Sequence, residues 1–229
     1  MFEIRKGNER GKANFGWLQS RHTFSFASYY DPMQMGFSAL RVINDDTVAP
    51  GAGFDTHGHK DMEILSLVLS GRIAHKDSAG NTEVLPAGEY QLMSAGKGIY
   101  HSEFNASTTE PLKFLQIWIQ PNQFGGPPGY QQKAFGTEQG VTLILSPDGR
   151  DGSLTLKQDA RLYQLILNAQ GEQQLPVAPG RKLYIHVISG DLLVGGQQLQ
   201  AGDGIKISAE SALHLVSPAG VKALIFDLP

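Results

Sequence analysis

Four residues in two short segments have the types and the spacing of a metal site. His57 and His59 are separated by one residue, and so are His101 and Glu103 further along the chain. In an extended strand, alternate side chains point to the same face about 6.6 Å apart, and neighbouring strands are about 4.8 Å apart. Two such strands side by side would present three imidazoles and one carboxylate to a single divalent ion. The spacing therefore predicts a mononuclear metal site inside a β-barrel.

This donor set favours chemistry with exchangeable ligands. Three neutral imidazoles and one carboxylate leave a divalent ion with a net charge of about +1 and, in a six-coordinate site, about two open positions. An anionic oxygen of an organic substrate could fill one position, and dioxygen or water the other. A substrate hydroxyl would also need a proton acceptor, for which Glu103 and Glu63 are the candidates. Nitrogen and oxygen donors accept Fe, Mn, Co, Ni, Cu or Zn, so the residues alone do not select the metal.

The composition excludes several other classes of function. The 19 Lys and Arg residues against 22 Asp and Glu residues give a formal net charge of -3, so we expect no direct binding of nucleic acid. The chain has no cysteine, which excludes disulfides, thiolate ligands and a cysteine nucleophile. No apolar run approaches the 18 or so residues of a membrane span, and the N-terminus lacks the apolar core of a signal peptide. We expect a cytoplasmic protein without membrane contact.

The elements that must position these residues are short strands. The 27 glycines and 12 prolines are spread between short apolar runs, as in a many-stranded antiparallel protein. Strands are predicted at Thr23 to Phe26, Ala39 to Ile43, Glu63 to Leu69 and Leu112 to Ile119. The second half repeats the pattern more faintly, which predicts two barrels. The connector-like segment Asn122 to Gly129 places the boundary between residues 1–125, with the metal site, and residues 126–229.

Two glycine-framed motifs surround the candidate ligands. Gly51-x5-His57-x-His59-x3-Glu63-x7-Gly71 resembles the first cupin motif, with one extra residue before its last glycine. Gly88-x5-Ser94-x-Gly96-x4-His101-x3-Asn105 resembles the second, with Ser94 in place of its proline and two extra residues before His101. In many cupins the first-motif glutamate is a ligand, which makes Glu63 the rival of Glu103.

More narrowly, the chain resembles the pirin family and its bacterial quercetinase-like members. The similarity is carried by RHTFSF, YYDP and LRVINDD in the first fifty residues, by THGHKDMEIL, and by SAGKGIYHSEFN. It implies a bicupin of two jelly-roll barrels in tandem, all-β, with metal only in the N-terminal barrel. The ligands implied are His57, His59, His101 and Glu103, which leaves Glu63 as a neighbouring or channel group, and the usual metal is iron, as Fe(II).

The resemblance also implies an activity. Some family members are similar to quercetin 2,3-dioxygenase, so the expected reaction opens the central ring of a flavonol with O2 and releases carbon monoxide. The alternative is a metal-binding redox or transcription co-regulatory protein without a flavonol substrate, acting through a protein partner, as a mammalian relative does. A cupin isomerase or sugar-binding protein is a third, weaker interpretation.

The remaining histidines and aromatic residues have less specific roles. The C-terminal half has Tyr184-Ile185-His186 where a ligand pair would fall, and His214 lacks a carboxylate two residues away, so that barrel is predicted to be metal-free. His22 is predicted to line the cavity or to be a hydrogen-bonded structural residue, and His75 to be exposed. An apolar wall for a planar substrate could come from several aromatic residues and one methionine: Phe24, Phe26, Tyr29, Tyr30, Phe37 and Met93.

Overall fold

The protein consists almost entirely of β-strands. A computed structural model describes all residues from Met1 to Pro229, with two single turns of 3₁₀ helix at Gly7–Glu9 and Arg150–Gly152. No helix is long and apolar enough to cross a membrane. The strands in chain order are β1 (Phe2–Arg5), β2 (Gly11–Asn14), β3 (Leu18–His22), β4 (Leu40–Val48), β5 (Gly53–His59), β6 (Glu63–Ser70), β7 (Arg72–Asp77), β8 (Thr82–Pro86), β9 (Glu89–Ser94), β10 (Ile99–Asn105), β11 (Leu112–Ile119), β12 (Gly129–Ala134), β13 (Gly140–Ser146), β14 (Leu154–Thr155), β15 (Arg161–Leu167), β16 (Gly171–Pro176), β17 (Lys182–Val194), β18 (Gln197–Gln200), β19 (Gly204–Ser208), β20 (Ala212–Ser217) and β21 (Val221–Leu228). The predicted all-β fold class is confirmed.

One compact unit contains residues 11–136 together with residues 156–158. Its strands form a seven-stranded sheet, in the order β12-β9-β6-β11-β4-β3-β2, and a four-stranded sheet, in the order β5-β10-β7-β8. The sheets face each other, because Val68 and Phe114 of the first pack with Ile73 and Leu85 of the second in one buried cluster. Both strands that carry the candidate ligands, β5 and β10, lie in the four-stranded sheet.

The other compact unit contains residues 1–10, 137–155 and 159–229. Its central strand is β17, which pairs with β19 and β21 at one end and with β18 and β20 at the other. The register of β17 against β21 shifts between Val187 and Ser189, which allows the strand to bend there. The apolar core buries Ile185, Ile205 and Ile225 completely.

These units differ from the predicted division into residues 1–125 and 126–229. Strand β1 pairs with β19 in the register Ile4↔Ile205, and the Asp203 carboxylate accepts hydrogen bonds from Gly7 N at 2.7 Å and Lys6 Nζ at 2.9 Å. Residues 1–10 therefore belong to the C-terminal barrel. Strand β12 pairs with β9, so residues 126–136 belong to the N-terminal one. Such long-range edge pairing leaves no signal in local composition.

The predicted strand at Thr23 to Phe26 is wrong, because β3 ends at His22. The chain then enters a loop of turns and bends, in which Phe26 pairs with Tyr29 in an isolated bridge around Ala27 at a φ of 51°. This loop brings Phe26, Ala27 and Ser28 to the wall of the cavity described below.

Candidate metal centre

Three histidines meet between β5 and β10. His57 lies directly opposite His101 in the antiparallel pairing, and His59 lies opposite Ile99. Strand alternation turns His57 and His59 to the same face, as the sequence predicted. The ring centroids of His57 and His101 are 4.5 Å apart, and the His59 ring lies 4.9 Å from each of the other two. One donor atom from each residue lies within 4.8 Å of the others.

The close pairing of these two strands depends on a glycine at the start of β5. The register of β10 against β5 shifts between His101 and Glu103, so Glu103 pairs with Phe54. A Cβ atom at Gly53 would lie 2.4 Å from the Glu103 carbonyl oxygen and 2.5 Å from Phe104 Cα. Only glycine permits this backbone approach.

The free imidazole nitrogens fit a metal. Nδ1 of His57 donates to the Asp55 carbonyl at 2.7 Å, which leaves Nε2 as its coordinating atom. Nε2 of His59 and both ring nitrogens of His101 are buried without a hydrogen-bond partner. Burial, assisted by His57, lowers the pKa of His59 to about 4 and that of His101 to about 3. Both rings are therefore neutral at pH 7, and their buried lone pairs fit a divalent cation.

Glu103 lies on the other side of His101. Its carboxylate accepts hydrogen bonds from Ser66 Oγ and from Gln116 Nε2, both at 3.2 Å. Burial and the charge of Asp46 raise the pKa of Glu103 to about 7. The carboxylate lies within 4.8 Å of donor atoms of His101 and His75, whereas Glu103, His57 and His59 do not together form such a group. The three histidines are thus close enough to one another to share one ion. Glu103 lies close to His101 but does not form such a group with His57 and His59.

His75 is part of this centre, and the prediction that it is exposed is wrong. Its side chain is completely buried on β7, opposite Glu103. Nε2 of His75 lies 3.1 Å from the Asp77 carboxylate, and Nδ1 lies 3.5 Å from Gln91 Nε2. Because both nitrogens have partners, His75 is less available to a metal than His59 or His101. The His75-x-Asp77 spacing, which turns both side chains to one face, is the sequence signal that could have revealed it.

Glu63 does not join the histidines. It accepts hydrogen bonds from Ser94 Oγ at 2.9 Å and from Lys157 N at 3.4 Å, and burial raises its pKa. Ser66, three residues further along β6, points to Glu103, so strand alternation turns Glu63 to the opposite face of the sheet. Glu63, which the sequence suggested as a catalytic residue, therefore does not lie next to the three histidines.

A cavity of about 490 Å³ adjoins the three-histidine cluster. Its wall includes His57 and His59, and no lysine or arginine contributes to it. The aromatic part of the wall consists of Phe15, Trp17, Phe26, Phe54 and Trp118. The polar part consists of Ser20, His22, Asn44, Asp46, Asp55 and Gln116, with Ser28 at the loop. A volume of this size accommodates a small planar organic molecule.

The aromatic wall differs from the predicted one. Of the six residues proposed for it, only Phe26 lines the cavity. Phe24 and Met93 are buried outside it, and Tyr30 is 71% exposed. Trp118 is a main contributor that the sequence did not single out. Its ring meets His59 edge to face at 5.1 Å and Phe26 at 5.4 Å. His22 lines the cavity, and its Nδ1 donates a hydrogen bond to Asn44 Oδ1 at 2.8 Å. It therefore has both predicted roles, as a cavity residue and as a hydrogen-bonded structural residue.

Polar side chains form a continuous row across the seven-stranded sheet. Directly paired residues on successive strands all carry polar groups: His22, Asn44, Gln116, Ser66, Gln91 and Gln132. Members of this row bind Glu103 and contact His75, as described above, and Tyr130 donates to Gln91 at 3.1 Å. Members of this row thus hold the buried side chains of Glu103 and His75, which lie close to His101.

The histidines of the C-terminal barrel are separated from one another. His186 is fully buried, and burial lowers its pKa to about 3, so it is neutral. His214 is exposed and lies 2.9 Å from the Glu172 carboxylate on the neighbouring strand. Neither belongs to a group of three potential ligands, since both such groups lie in the N-terminal barrel. The absence of metal from the C-terminal barrel remains a prediction.

Comparison with known proteins identifies both halves. The pirin family model matches residues 3–119, and the model for the quercetinase C-terminal cupin domain matches residues 143–228. The chain is 52% identical to quercetin 2,3-dioxygenase of Escherichia coli strain K12, over 100% of this chain and 99% of that protein. It is 38% identical to a pirin-like protein of Caulobacter vibrioides, over 99% of each.

A solved structure shares the complete fold. Bacterial pirin YhhW of Escherichia coli in complex with nickel(II) is 51% identical and superposes with a TM-score of 0.98, over 100% of this chain and 99% of that one. The two predicted cupin barrels are therefore confirmed, and a related chain binds a divalent metal. The matched family model and the full-length identity establish that this chain is a member of the pirin family.

Proposed function

We propose that this protein is a metal-dependent dioxygenase that opens the central ring of a flavonol such as quercetin with O2 and releases carbon monoxide. The observation that carries the proposal is the set of three converging histidines, with buried and unpartnered nitrogens on His59 and His101, beside an aromatic-walled cavity of about 490 Å³. It is supported by the 52% identity to the Escherichia coli quercetin 2,3-dioxygenase over the whole chain.

The residues that would hold the metal are His57, His59, His101 and Glu103. Buried nitrogens without partners and a buried carboxylate without a neighbouring cation both favour a divalent ion at this position. We propose Fe(II), and Mn, Co, Ni, Cu and Zn are compatible with the same donors. When bound, the metal supplies a Lewis acid for the substrate oxygen and reactivity toward O2.

The residues of the cavity would bind and orient the substrate. The rings of Trp17, Phe54 and Trp118 offer flat apolar surfaces to an aromatic ligand and exclude water. The polar side chains of the same wall contain the groups that can recognise hydroxyl substituents. Glu103 does not line the cavity, and both of its oxygens already accept hydrogen bonds. The chain therefore needs another acceptor for a substrate proton.

We place the protein in the cytoplasm, because a chain without cysteine suits a reducing compartment. We propose small-molecule partners, a flavonol and O2, since the net charge of -3 gives no electrostatic basis for nucleic-acid binding.

Oxygen consumption by the metal-loaded protein tests the activity. Purified protein with Fe(II) is expected to consume O2 and release carbon monoxide when quercetin is added. His59→Ala is expected to lose both bound metal and turnover, because it removes one of the three converging imidazoles. Full metal stoichiometry in His59→Ala would overturn the site assignment. A wild-type protein that holds metal but is inert toward flavonols would favour the regulatory alternative.

A further inference from the structure

Asp46 is a buried carboxyl group that the metal site does not use. It lies on β4 at 2% exposure, where inward-facing side chains are otherwise mostly apolar, and it lines the same cavity as His57 and His59. Its Oδ1 atom is buried without a hydrogen-bond partner. Opposite it, Phe114 on β11 offers no polar group, and Ser20 on β3 is the polar neighbour. A buried, unpartnered oxygen at a cavity wall indicates a ligand that donates a hydrogen bond to it.

The other charged or titratable groups around the cavity are less suited to accept a proton. Asp55 is solvent-exposed. Nδ1 of His22 donates to Asn44 Oδ1 at 2.8 Å, which leaves Nε2 as the only ring atom of His22 that could compete with Asp46. His57 and His59 belong to the three-histidine cluster that is proposed to hold the metal. Glu103, whose pKa is raised in part by the charge of Asp46, lies outside the wall with both oxygens hydrogen-bonded. Asp45, the neighbour of Asp46 on β4, alternates to the other face of the strand and pairs with Lys113.

We propose that Asp46 is the residue that accepts the proton of the substrate hydroxyl. This inference rests on the proposed function and names the base that the function requires. The hydroxyl O–H bond breaks, the proton forms an O–H bond with the Asp46 carboxylate, and the negative charge passes to the substrate oxygen. The proton later returns to the product or to water. No lysine or arginine lines the cavity, so a neutral flavonol that enters it would lose its hydroxyl proton to an acceptor of the wall.

The same wall indicates the chemical class of the substrate. Besides Asp46 Oδ1 as an acceptor, the cavity contains one buried donor without a partner, the indole Nε1 of Trp118. The hydroxyl of a ligand can donate to Asp46 Oδ1, and a carbonyl oxygen of a ligand can accept from Trp118 Nε1. The central ring of a flavonol carries a hydroxyl of this kind. The acceptor at Asp46 therefore favours 3-hydroxy flavonoids over flavonoids that lack the hydroxyl.

Asp46→Asn tests the proposal, because it keeps the shape of the side chain and removes its ability to take a proton. Flavonol binding is measured without oxygen by absorbance, since an ionised flavonol absorbs at longer wavelength than a neutral one. We expect wild-type protein to bind quercetin as the anion at pH 7, and Asp46→Asn to bind it as the neutral form. We also expect kcat to fall by about 100-fold or more. The loss should diminish as the pH rises above the pKa of the hydroxyl itself, because the substrate then arrives ionised.

Asp45→Asn is the matched control, with the same change on the outward face of the same strand, and it should behave as wild type. Metal content and melting temperature of Asp46→Asn are measured in parallel, and the metal content should be retained while the melting temperature should not fall. An anionic spectrum and unchanged kcat in Asp46→Asn, with an active wild type, would overturn this inference alone. Loss of metal or of folding in Asp46→Asn would also overturn it, because Asp46 would then act through the structure. Wild-type protein that neither binds nor oxidises quercetin would overturn both this inference and the proposed function.

Discussion

Individual histidines owe their suitability as ligands to burial. His59 and His101 are neutral because the barrel interior disfavours the imidazolium form and lowers the pKa of each ring. In His57 the Asp55 carbonyl fixes the tautomer by accepting the Nδ1 proton. These residues were predictable, since a repeated spacing of two is specific in a β-strand. Asp46 was not, because Asn44-Asp45-Asp46 has the composition of a turn and the predicted strand ended at Ile43.

At the residue scale, Asp46→Asn should stabilise the metal-free protein in a pH-dependent way. Burial raises the pKa of Asp46 from 3.8 to about 7, so the folded state holds its proton more tightly than the unfolded state. Ionisation of Asp46 therefore lowers the free energy of unfolding of the wild type. This loss of stability is absent below about pH 4, grows as the pH rises, and is complete above about pH 7. Asparagine removes this loss. Urea unfolding at pH 5, 6, 7 and 8 should show a growing advantage for Asp46→Asn that reaches at most about 4 kcal/mol.

The same titration with Asp45→Asn should show little pH-dependent difference from wild type, because Asp45 is partly exposed beside Lys113. A stability difference between Asp46→Asn and wild type that is constant from pH 5 to 8 would contradict the assigned pKa.

At the scale of strands, the site depends on register. The pairing of β5 with β10 places His57 opposite His101, and the polar row on the facing sheet supplies the donors to Glu103. The sequence predicted which strands carry the ligands, because the two glycine-framed motifs mark them. It did not predict the polar row, since its members are single residues in strands that are far apart in the chain and become neighbours only in the sheet.

Gly53→Ala should weaken metal binding through the strand pairing and not through any ligand. The added methyl group would meet the Glu103 carbonyl oxygen at 2.4 Å, so β5 must shift away from β10 and carry His57 away from His101. We expect metal affinity to fall by about 10-fold or more, in the range found when the supports of ligands are disturbed. Isothermal titration with Ni(II) or Zn(II) measures this change.

Gly129→Ala is the control for this substitution. Gly129 also lies in a strand, but the nearest atom to a Cβ placed there is Ser94 Cβ at 4.0 Å, which is ordinary contact. It should bind metal as the wild type does. Equal affinities for Gly53→Ala and Gly129→Ala would show that the β5 to β10 spacing does not limit the site.

At the scale of the whole molecule, the two barrels share a plan but differ in their buried histidines. The sequence predicted two barrels because glycine-marked turns recur in both halves, and the hairpin at Gly195-Gly196 lies where predicted, between β17 and β18. The ends of the units were not predictable, because β1 and β12 pair with strands that are distant in sequence. In the C-terminal barrel, His186 is buried alone and His214 is exposed, so we expect the metal to act on one barrel only.

Hydrogen exchange measured by mass spectrometry tests this expectation on the full chain. A metal at 100 times its dissociation constant stabilises the part of the protein that binds it by about 2.7 kcal/mol, which slows the corresponding opening reactions about 100-fold. Removal of the metal by a chelator should therefore speed exchange in β5, β10 and β7, and leave β17 and β21 of the C-terminal barrel largely unchanged. His59→Ala should show the faster pattern with or without added metal. Comparable acceleration in both barrels of the wild type would mean that the metal stabilises the molecule as one cooperative unit, or that the C-terminal barrel binds metal as well.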